Sequence, residues 1–253
     1  MQLFLIRHCQ STNNEVLDQK QSPDELIGGD WIDKMVPDPP LTQKGETQGK
    51  LLAQFLHEHK NPNIVKDYLP DHQNVSGFNI SHLYCSLMQR SIITAQYISH
   101  AIKIPQIVWK DIHECGGLFT QDPKSEKRIG IPGPNHEHFA SQYPKLIIPE
   151  TIDPKGWWNK PIETQKDISN RANKVKTELI KRHGQTNDKV ILVTHVGFYH
   201  HLLSSILNIP ISNKRNMWLH LNNAAISHLT FNKTGIRVNY LNRLDFLPRD
   251  LIT

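Results

Sequence analysis

The chain opens on an apolar run that stops at charge: Leu3-Phe4-Leu5-Ile6 is followed at once by Arg7-His8-Cys9-Gln10-Ser11. A short, continuous apolar run bounded by polar residues predicts a strand buried on both faces. Near the other end, Val190-Ile191-Leu192-Val193 repeats the pattern and releases Thr194-His195. Ligands of open α/β sheets bind outside the carboxyl ends of the strands, so both histidines are expected at that edge.

Between these runs the pattern changes several times. Thr12 to Pro40 is polar, contains Gly28-Gly29-Asp30-Trp31 and Pro37-Asp38-Pro39-Pro40, and shows no periodicity, which predicts a long loop insertion. A helix is predicted from about Thr42, with Leu51, Leu52, Phe55 and Leu56 on its apolar face. Asn61 to Asn79 reads as a surface insertion, and His82-Leu83-Tyr84-Cys85 as a second strand. Ser86 with Gln89 makes a capping-box pattern that opens a helix carrying Leu87, Ile92, Ile93 and Tyr97. Arg90 then falls in the first or second turn, where a cation opposes the helix dipole. Such a local cost points to a ligand.

Ile104 to Trp109 predicts a third strand, leading to Asp111-Ile112-His113-Glu114-Cys115-Gly116-Gly117. The proline-interrupted segment 118–161 is expected to be an irregular cap, with a short helix near His136 to Tyr143. Thr164-Gln165-Lys166-Asp167 is a helix start, followed by Ile168, Ala172, Val175 and Leu179 at helical spacing. After His195 a helix runs to about Leu207, and Ala225–Phe231 with Arg237–Leu241 form a terminal hairpin. Alternating strands and helices give an α/β fold, a three-layer α/β/α sandwich. Residues 1–253 are expected to form a single domain, with insertions at about 12–40 and 61–80.

Composition narrows the function. A chain of 253 residues buries a sizeable core. The net charge of +5 suits acidic ligands, but no aromatic residues interleave with a basic stripe, which argues against nucleic acid. The densest basic cluster, Lys124 to Arg128, carries its own acid in Glu126 and reads as a solvated face. Three cysteines, an odd number, argue against a disulfide framework and for a reducing compartment. No apolar run approaches membrane-spanning length, so a soluble, cytoplasmic protein with no membrane partner is expected.

Arg7, His8, Arg90, Glu114 and His195 all fall at predicted strand exits or the loops beside them. Guanidinium forks match a phosphoryl group, and a neutral imidazole is a competent nucleophile. A second imidazole adds a donor to the transferring oxygens, and a carboxylic acid protonates a leaving alkoxide. Phosphoryl transfer is mostly positioning and charge stabilisation, so this set suffices without metal or cofactor. His136-Glu137-His138 lacks a third ligand for a metal. Tyr199-His200-His201 is read as packing or surface, and Trp157-Trp158 as a core anchor or a substrate-facing wall, with core or cap packing favoured.

Arg7-His8-Cys9-Gln10-Ser11 with Asn14 resembles the Arg-His-Gly-x-Ser/Thr-x-x-Asn signature of the histidine phosphatase superfamily, the phosphoglycerate-mutase-like fold. Leu41-Thr42 with Gly45 and Gln48, Ser86-Leu87-x-x-Arg90 with Thr94-Ala95, and Thr194-His195-x-Gly197 resemble its further motifs, in order. The resemblance implies a mostly parallel central sheet and a His8 that becomes phosphorylated. It implies that Arg7, Arg90 and His195 hold the phosphate, with Asn14 or Ser11 in contact, and that Glu114 is the acid/base. Cys9 and Val196 depart from positions where glycine is usual; Cys9 is expected to narrow the pocket floor or alter the turn.

A mutase of this fold needs a closed, strongly cationic cap. The cap here offers Lys124, Lys127, Arg128, Lys145, Lys155 and Lys160, but no arginine pair resembling a mutase clamp. Water is therefore the expected acceptor and a phosphomonoesterase the expected enzyme. A bisphosphoglycerate-primed mutase and a non-catalytic phosphate-binding scaffold are the alternatives. Sugar phosphates, small phosphorylated metabolites and phosphoproteins all fit as substrates. Each cysteine adjoins a motif residue (Cys9, Cys85, Cys115), which raises oxidation of a thiol activated by Arg7 or Arg90 as a means of blocking the site.

Overall fold

Alternation within the apolar runs decides which layer each side chain enters. The computed structural model describes residues 1–19, 35–59, 71–122, 127–148, 152–210 and 219–253. Strand β1 (Gln2–Arg7) and helices α1 (Thr12–Asp18) and α2 (Gln43–Glu58) are followed by β2 (His82–Cys85), α3 (Gln89–Ile102) and β3 (Gln106–Val108). The middle of the chain supplies β4 (Phe119–Gln121), β5 (Arg128–Gly130) and α4 (His136–Gln142). Then come α5 (Gln165–His183), β6 (Lys189–Thr194), α6 (Val196–Leu207), β7 (Ile226–Asn232) and β8 (Gly235–Arg243).

The main sheet has the order β3-β2-β6-β1-β7-β8, parallel from β3 to β1 and antiparallel at β7 and β8. Successive strand residues face opposite sides. Leu3, Leu5, Val190 and Leu192 enter the cluster formed with α5 and α6; Phe4, Ile6, Ile191 and Val193 enter the one formed with α2 and α3. All of these are fully covered, and each contributes about 1.5–3 kcal/mol of burial. This is the expected α/β/α sandwich with a mostly parallel centre.

β1 and β6 are neighbours in register, with Arg7 opposite Thr194. His8 and His195 are therefore the first residues past the ends of two adjacent strands. The strand predictions at β1, β2 and β6 and the helices α2, α5 and α6 agree with the structure to within a few residues.

Four expectations change. The stretch after Ser11 is not a loop from its start: Thr12–Asp18 is helical, capped by a Ser11–Asn14 capping box. No residue of α1 is buried, so it has no apolar period to read. The expected surface insertion ends in the core, because Phe78 packs edge-on to Phe4 and Phe55, with centroids at 5.6 and 5.4 Å. Its residues 61–70 lie outside the described residues, as do 20–34. The strand expected over 104–109 shortens to Gln106–Val108. In the cap, β4 and β5 pair as a hairpin where irregular chain was expected, and α4 forms as expected.

Candidate active site

His8 leaves β1 with its ring orientation already set. Its Nδ1 lies 2.7 Å from the Cys9 carbonyl oxygen. A carbonyl only accepts, so Nδ1 carries the hydrogen and Nε2 keeps its lone pair. Arg90 Nε donates to that Nε2 at 3.2 Å. Burial first, then Arg90 and Arg7, hold His8 well below the ordinary histidine pKa, so the ring is neutral.

His195 stands beside it, with ring centroids 5.0 Å apart. Its Nε2 is 2.8 Å from Ser86 Oγ. That bond explains why Ser86 does not cap α3 as the sequence pattern predicts: the N-cap is Met88, without a side-chain bond, and Ser86 is committed to the histidine. Burial, then Arg90 and His8, also hold His195 well below its ordinary pKa. His195 Nδ1 and Arg7 Nε are buried side-chain atoms without a hydrogen-bond partner. Buried polar atoms are nearly always satisfied, so these two, beside His8 and Arg90, have hydrogen-bonding capacity left for a ligand. Arg7 is anchored at its other end by NH1 on the Leu221 carbonyl, and burial lowers its pKa to about 10, still cationic at neutral pH.

Glu114 reaches the site from the loop after β3. Its Oε1 accepts from the backbone N–H of Cys115 at 2.8 Å and Phe198 at 3.0 Å, and its Oε2 from Gly197 at 3.3 Å. The carboxyl group thus sits on the N-terminus of α6, oriented by backbone N–H groups that have no partner within the helix. A Cβ at Gly197 would lie 2.6 Å from Glu114 Oε1, so the close approach requires glycine.

A supporting ring of residues stands behind these groups. Asp38 accepts from Gln89 N at 3.1 Å and pairs with Arg90 NH1 at 3.5 Å, anchoring the arginine that the helix dipole disfavours. Thr94 Oγ1 accepts from Cys9 N and donates to the Arg90 carbonyl. Gln48 accepts from Gln10 N at 2.7 Å, and α2 crosses so closely that a Cβ at Gly45 would lie 2.0 Å from the Gln10 carbonyl oxygen. Asn223 Nδ2 donates to the His8 carbonyl and to Asn14 Oδ1. Sequence reasoning missed Asp38 and Asn223, which lie far along the chain from the residues they hold.

Arg7, His8, Ser11, Asn14, Arg90 and Glu114 face one cavity of about 500 Å³. Its outer wall is apolar, with Leu17, Val36, Met88 and Phe119, and Arg128 of β5 reaches in beside Phe119, 4.9 Å from that ring's centroid. Of the cap cations considered, Arg128 alone lines it among the described residues; Lys124 lies outside those residues. Cys9 neither lines the cavity nor narrows it, since its side chain is buried in the core cluster shared with α2 and α3. Burial pushes the Cys9 and Cys85 thiols up to about 12, opposite to the activation expected from nearby arginines, and pushes Cys115 up as well.

The remaining sequence features stand apart. His136, Glu137 and His138 are exposed on α4. Trp157, Trp158, Tyr199, His200 and His201 are buried packing residues, as expected. His82, His183 and Asp188 bring ligand-type atoms within 4.8 Å of one another, but at the opposite end of β2 and β6 from His8 and His195. No described helix is long and apolar enough to cross a membrane.

A neutral histidine with its Nε2 against a buried guanidinium, and a second histidine one strand away, fits the family match found for the chain. The profile of the histidine phosphatase superfamily (branch 1) matches residues 72–244, and the chain belongs to that superfamily. His8 precedes the matched region and joins it through the β1–β6 register. Among solved structures, the chain is similar to a mycobacterial glucosyl-3-phosphoglycerate phosphatase, with a TM-score of 0.57 at 16% identity, covering 96% of this chain and 99% of that one. A phosphoserine phosphatase variant from Entamoeba histolytica, in complex with phosphoserine, aligns with a TM-score of 0.56 at 17% identity, over 98% of this chain and 99% of that one. A putative alpha-ribazole-5'-P phosphatase from Escherichia coli gives 0.57 at 16%, over 96% and 97%. No curated protein matches.

Proposed function

We propose that the protein is a metal-independent phosphomonoesterase that works through a phosphohistidine on His8. The observation that carries this reading is the state of His8: Nδ1–H is tied to the Cys9 carbonyl, so the Nε2 lone pair is the one presented beside Arg90. Nε2 attacks phosphorus as the bond to the leaving oxygen breaks, and the Glu114 carboxylic acid gives its proton to that oxygen. Glu114, now a carboxylate, takes a proton from water as the water attacks the phosphohistidine, releasing phosphate and restoring His8. Arg90, Arg7 and His195 hold the equatorial oxygens; the orphaned Arg7 Nε and His195 Nδ1 are the donors left for them. Ser11 and Asn14 line the cavity and fix the turn after His8 through their mutual cap.

The substrate is a small phosphorylated compound whose leaving group meets the apolar wall and Arg128, with segment 118–161 as the cap. Three of the aligned proteins carry phosphatase names, and one of them binds phosphoserine. A lone cap arginine supports hydrolysis over the mutase alternative, which has to retain a doubly phosphorylated intermediate. Three free thiols suit a reducing compartment such as the cytoplasm. Incubation with a panel of phosphomonoesters, followed by an alkaline quench, is expected to trap acid-labile phosphate in the wild type and none in His8→Asn. Turnover that survives His8→Asn overturns the reading.

A further inference from the structure

Glu114 depends on a loop that has little regular structure of its own. After the short 3-10 turn Lys110–Ile112, the chain passes through His113 and Glu114 to Gly116 and Gly117, both at positive φ. What fixes this loop lies on the first half of α5 and just before it. Arg171 and Glu163 form a buried bidentate pair, with Nε to Oε1 at 2.7 Å and NH2 to Oε2 at 2.6 Å, the side chains only 7% and 5% exposed.

The pair is spent on the loop rather than on itself. Arg171 NH1 donates to the carbonyl oxygens of Asp111 and His113, at 2.8 and 2.9 Å. Glu163 Oε2 accepts from Gly116 N at 3.3 Å. Backbone groups on both sides of Glu114 are therefore held by one ion pair. The Arg171 guanidinium also lies 4.2 Å from the centroid of the Phe198 ring, and Phe198 N is the donor that Glu114 Oε1 accepts. The pair thus touches both the loop that carries the carboxylate and the helix end that receives it, without lining the cavity. A buried ion pair contributes little net stability compared with apolar packing, and geometric specificity is its best-attested use.

We infer that Arg171 and Glu163 are positioning residues that set where the Glu114 carboxylate meets the leaving-group oxygen. The inference rests on Glu114 being the acid of the proposed reaction. Loss of the pair lets the 113–116 loop move while leaving His8, Arg7, Arg90 and His195 in place. The defect then falls on proton delivery and not on phosphate capture.

Leaving-group dependence separates these effects. Phosphoryl transfer from p-nitrophenyl phosphate needs no proton on the leaving phenolate, whereas an alkyl phosphate such as glycerol phosphate does. Arg171→Met, Glu163→Gln and Glu114→Gln are compared with wild type on both compounds, with circular dichroism and thermal melts as checks on folding. Glu114→Gln is expected to lose at least 100-fold in kcat/KM, which reports the transfer to His8 and excludes the later hydrolysis, on the alkyl ester and far less on p-nitrophenyl phosphate. Arg171→Met and Glu163→Gln are expected to repeat that split more weakly, with a tenfold or greater excess loss in kcat/KM on the alkyl ester over p-nitrophenyl phosphate. Should Arg171→Met fail to fold, the nearly isosteric Glu163→Gln decides. A selective loss in Glu114→Gln with equal losses on both compounds in the pair variants overturns the positioning role alone. No selectivity in Glu114→Gln removes the acid assignment, and the positioning role goes with it.

Discussion

Arg90 Nε and His8 Nε2 share a hydrogen bond of 3.2 Å inside the protein. The guanidinium donates to the same lone pair that the proposed reaction uses. In the proposed reaction an arriving phosphate replaces the imidazole as acceptor and so frees Nε2. Arg90 keeps its place through Asp38, which pairs with it at 3.5 Å.

Anion binding is expected to be coupled to proton uptake. His195 is held below its ordinary pKa by burial, Arg90 and His8, and a bound anion opposes all three by favouring the charged ring. The complex therefore binds more protons than the free enzyme, and affinity strengthens as pH falls. Sulfate, whose charge is constant from pH 8 to 6, is expected to inhibit severalfold more tightly at pH 6. A sulfate inhibition constant that is flat or rises toward pH 6 contradicts this.

Stability has its own pH signature. Burial lowers His228 to about 4, where its ring stacks on Phe4 at 4.3 Å. An unfolded histidine titrates near 6.5. As pH falls below that value the unfolded chain takes up a proton that the folded protein does not accept until about pH 4, so stability declines across the interval. His8, His113 and His195 add in the same direction. Carboxylates with lowered pKa values, such as Asp71 and Asp245, act below this window. The melting temperature is expected to drop between pH 7.5 and pH 5, and His228→Gln to reduce that drop; equal melting temperatures at the two values run against it.

Two glycines separate stability from activity. At Gly45 a Cβ meets backbone, 2.0 Å from the Gln10 carbonyl oxygen; at Gly197 it meets the end of the Glu114 side chain, which can swing away. Gly45→Ala is expected to cost about 2 kcal/mol of unfolding free energy in urea titrations. Gly197→Ala is expected to unfold within about 0.5 kcal/mol of wild type yet lose tenfold or more in kcat on alkyl phosphates. A destabilised Gly197→Ala with normal turnover reverses the assignment.

The Cys9 and Cys85 thiols are expected to be inert in the folded protein. Cys9 and Cys85 are fully buried, with burial pushing both up to about 12, so the thiolate needed for oxidation is scarce at neutral pH. Turnover after brief millimolar peroxide should match the untreated enzyme, and iodoacetamide should label Cys9 and Cys85 only on unfolding. Rapid inactivation restored by dithiothreitol tells against this.

Much of this arrangement is legible before any coordinates. The strands carrying His8 and His195 announce themselves because a strand covered on both faces needs an unbroken apolar run. Arg90 is legible because a cation in a helix's first turn needs a reason. What escapes is whatever tertiary contacts decide. Ser86 has the local pattern of a cap, but the bond to His195 wins. Helix α1 buries nothing, and the β4–β5 hairpin is half exposed, so neither leaves a period to read. Asp38, Glu163 and Arg171 look like ordinary polar residues of a loop and a helix, since the groups they hold are distant in sequence.

The ladder between β1 and β6 works as a ruler for chemistry. Arg7 faces Thr194, and His8 N donates to the Thr194 carbonyl at 2.9 Å, so the spacing of the two imidazoles is measured by backbone hydrogen bonds and owes nothing to the chain that joins them. Connecting segments are thereby free to lengthen, shrink or change their chemistry, as long as neither strand gains or loses a residue. One fold can then present the same reactive pair to very different organic groups.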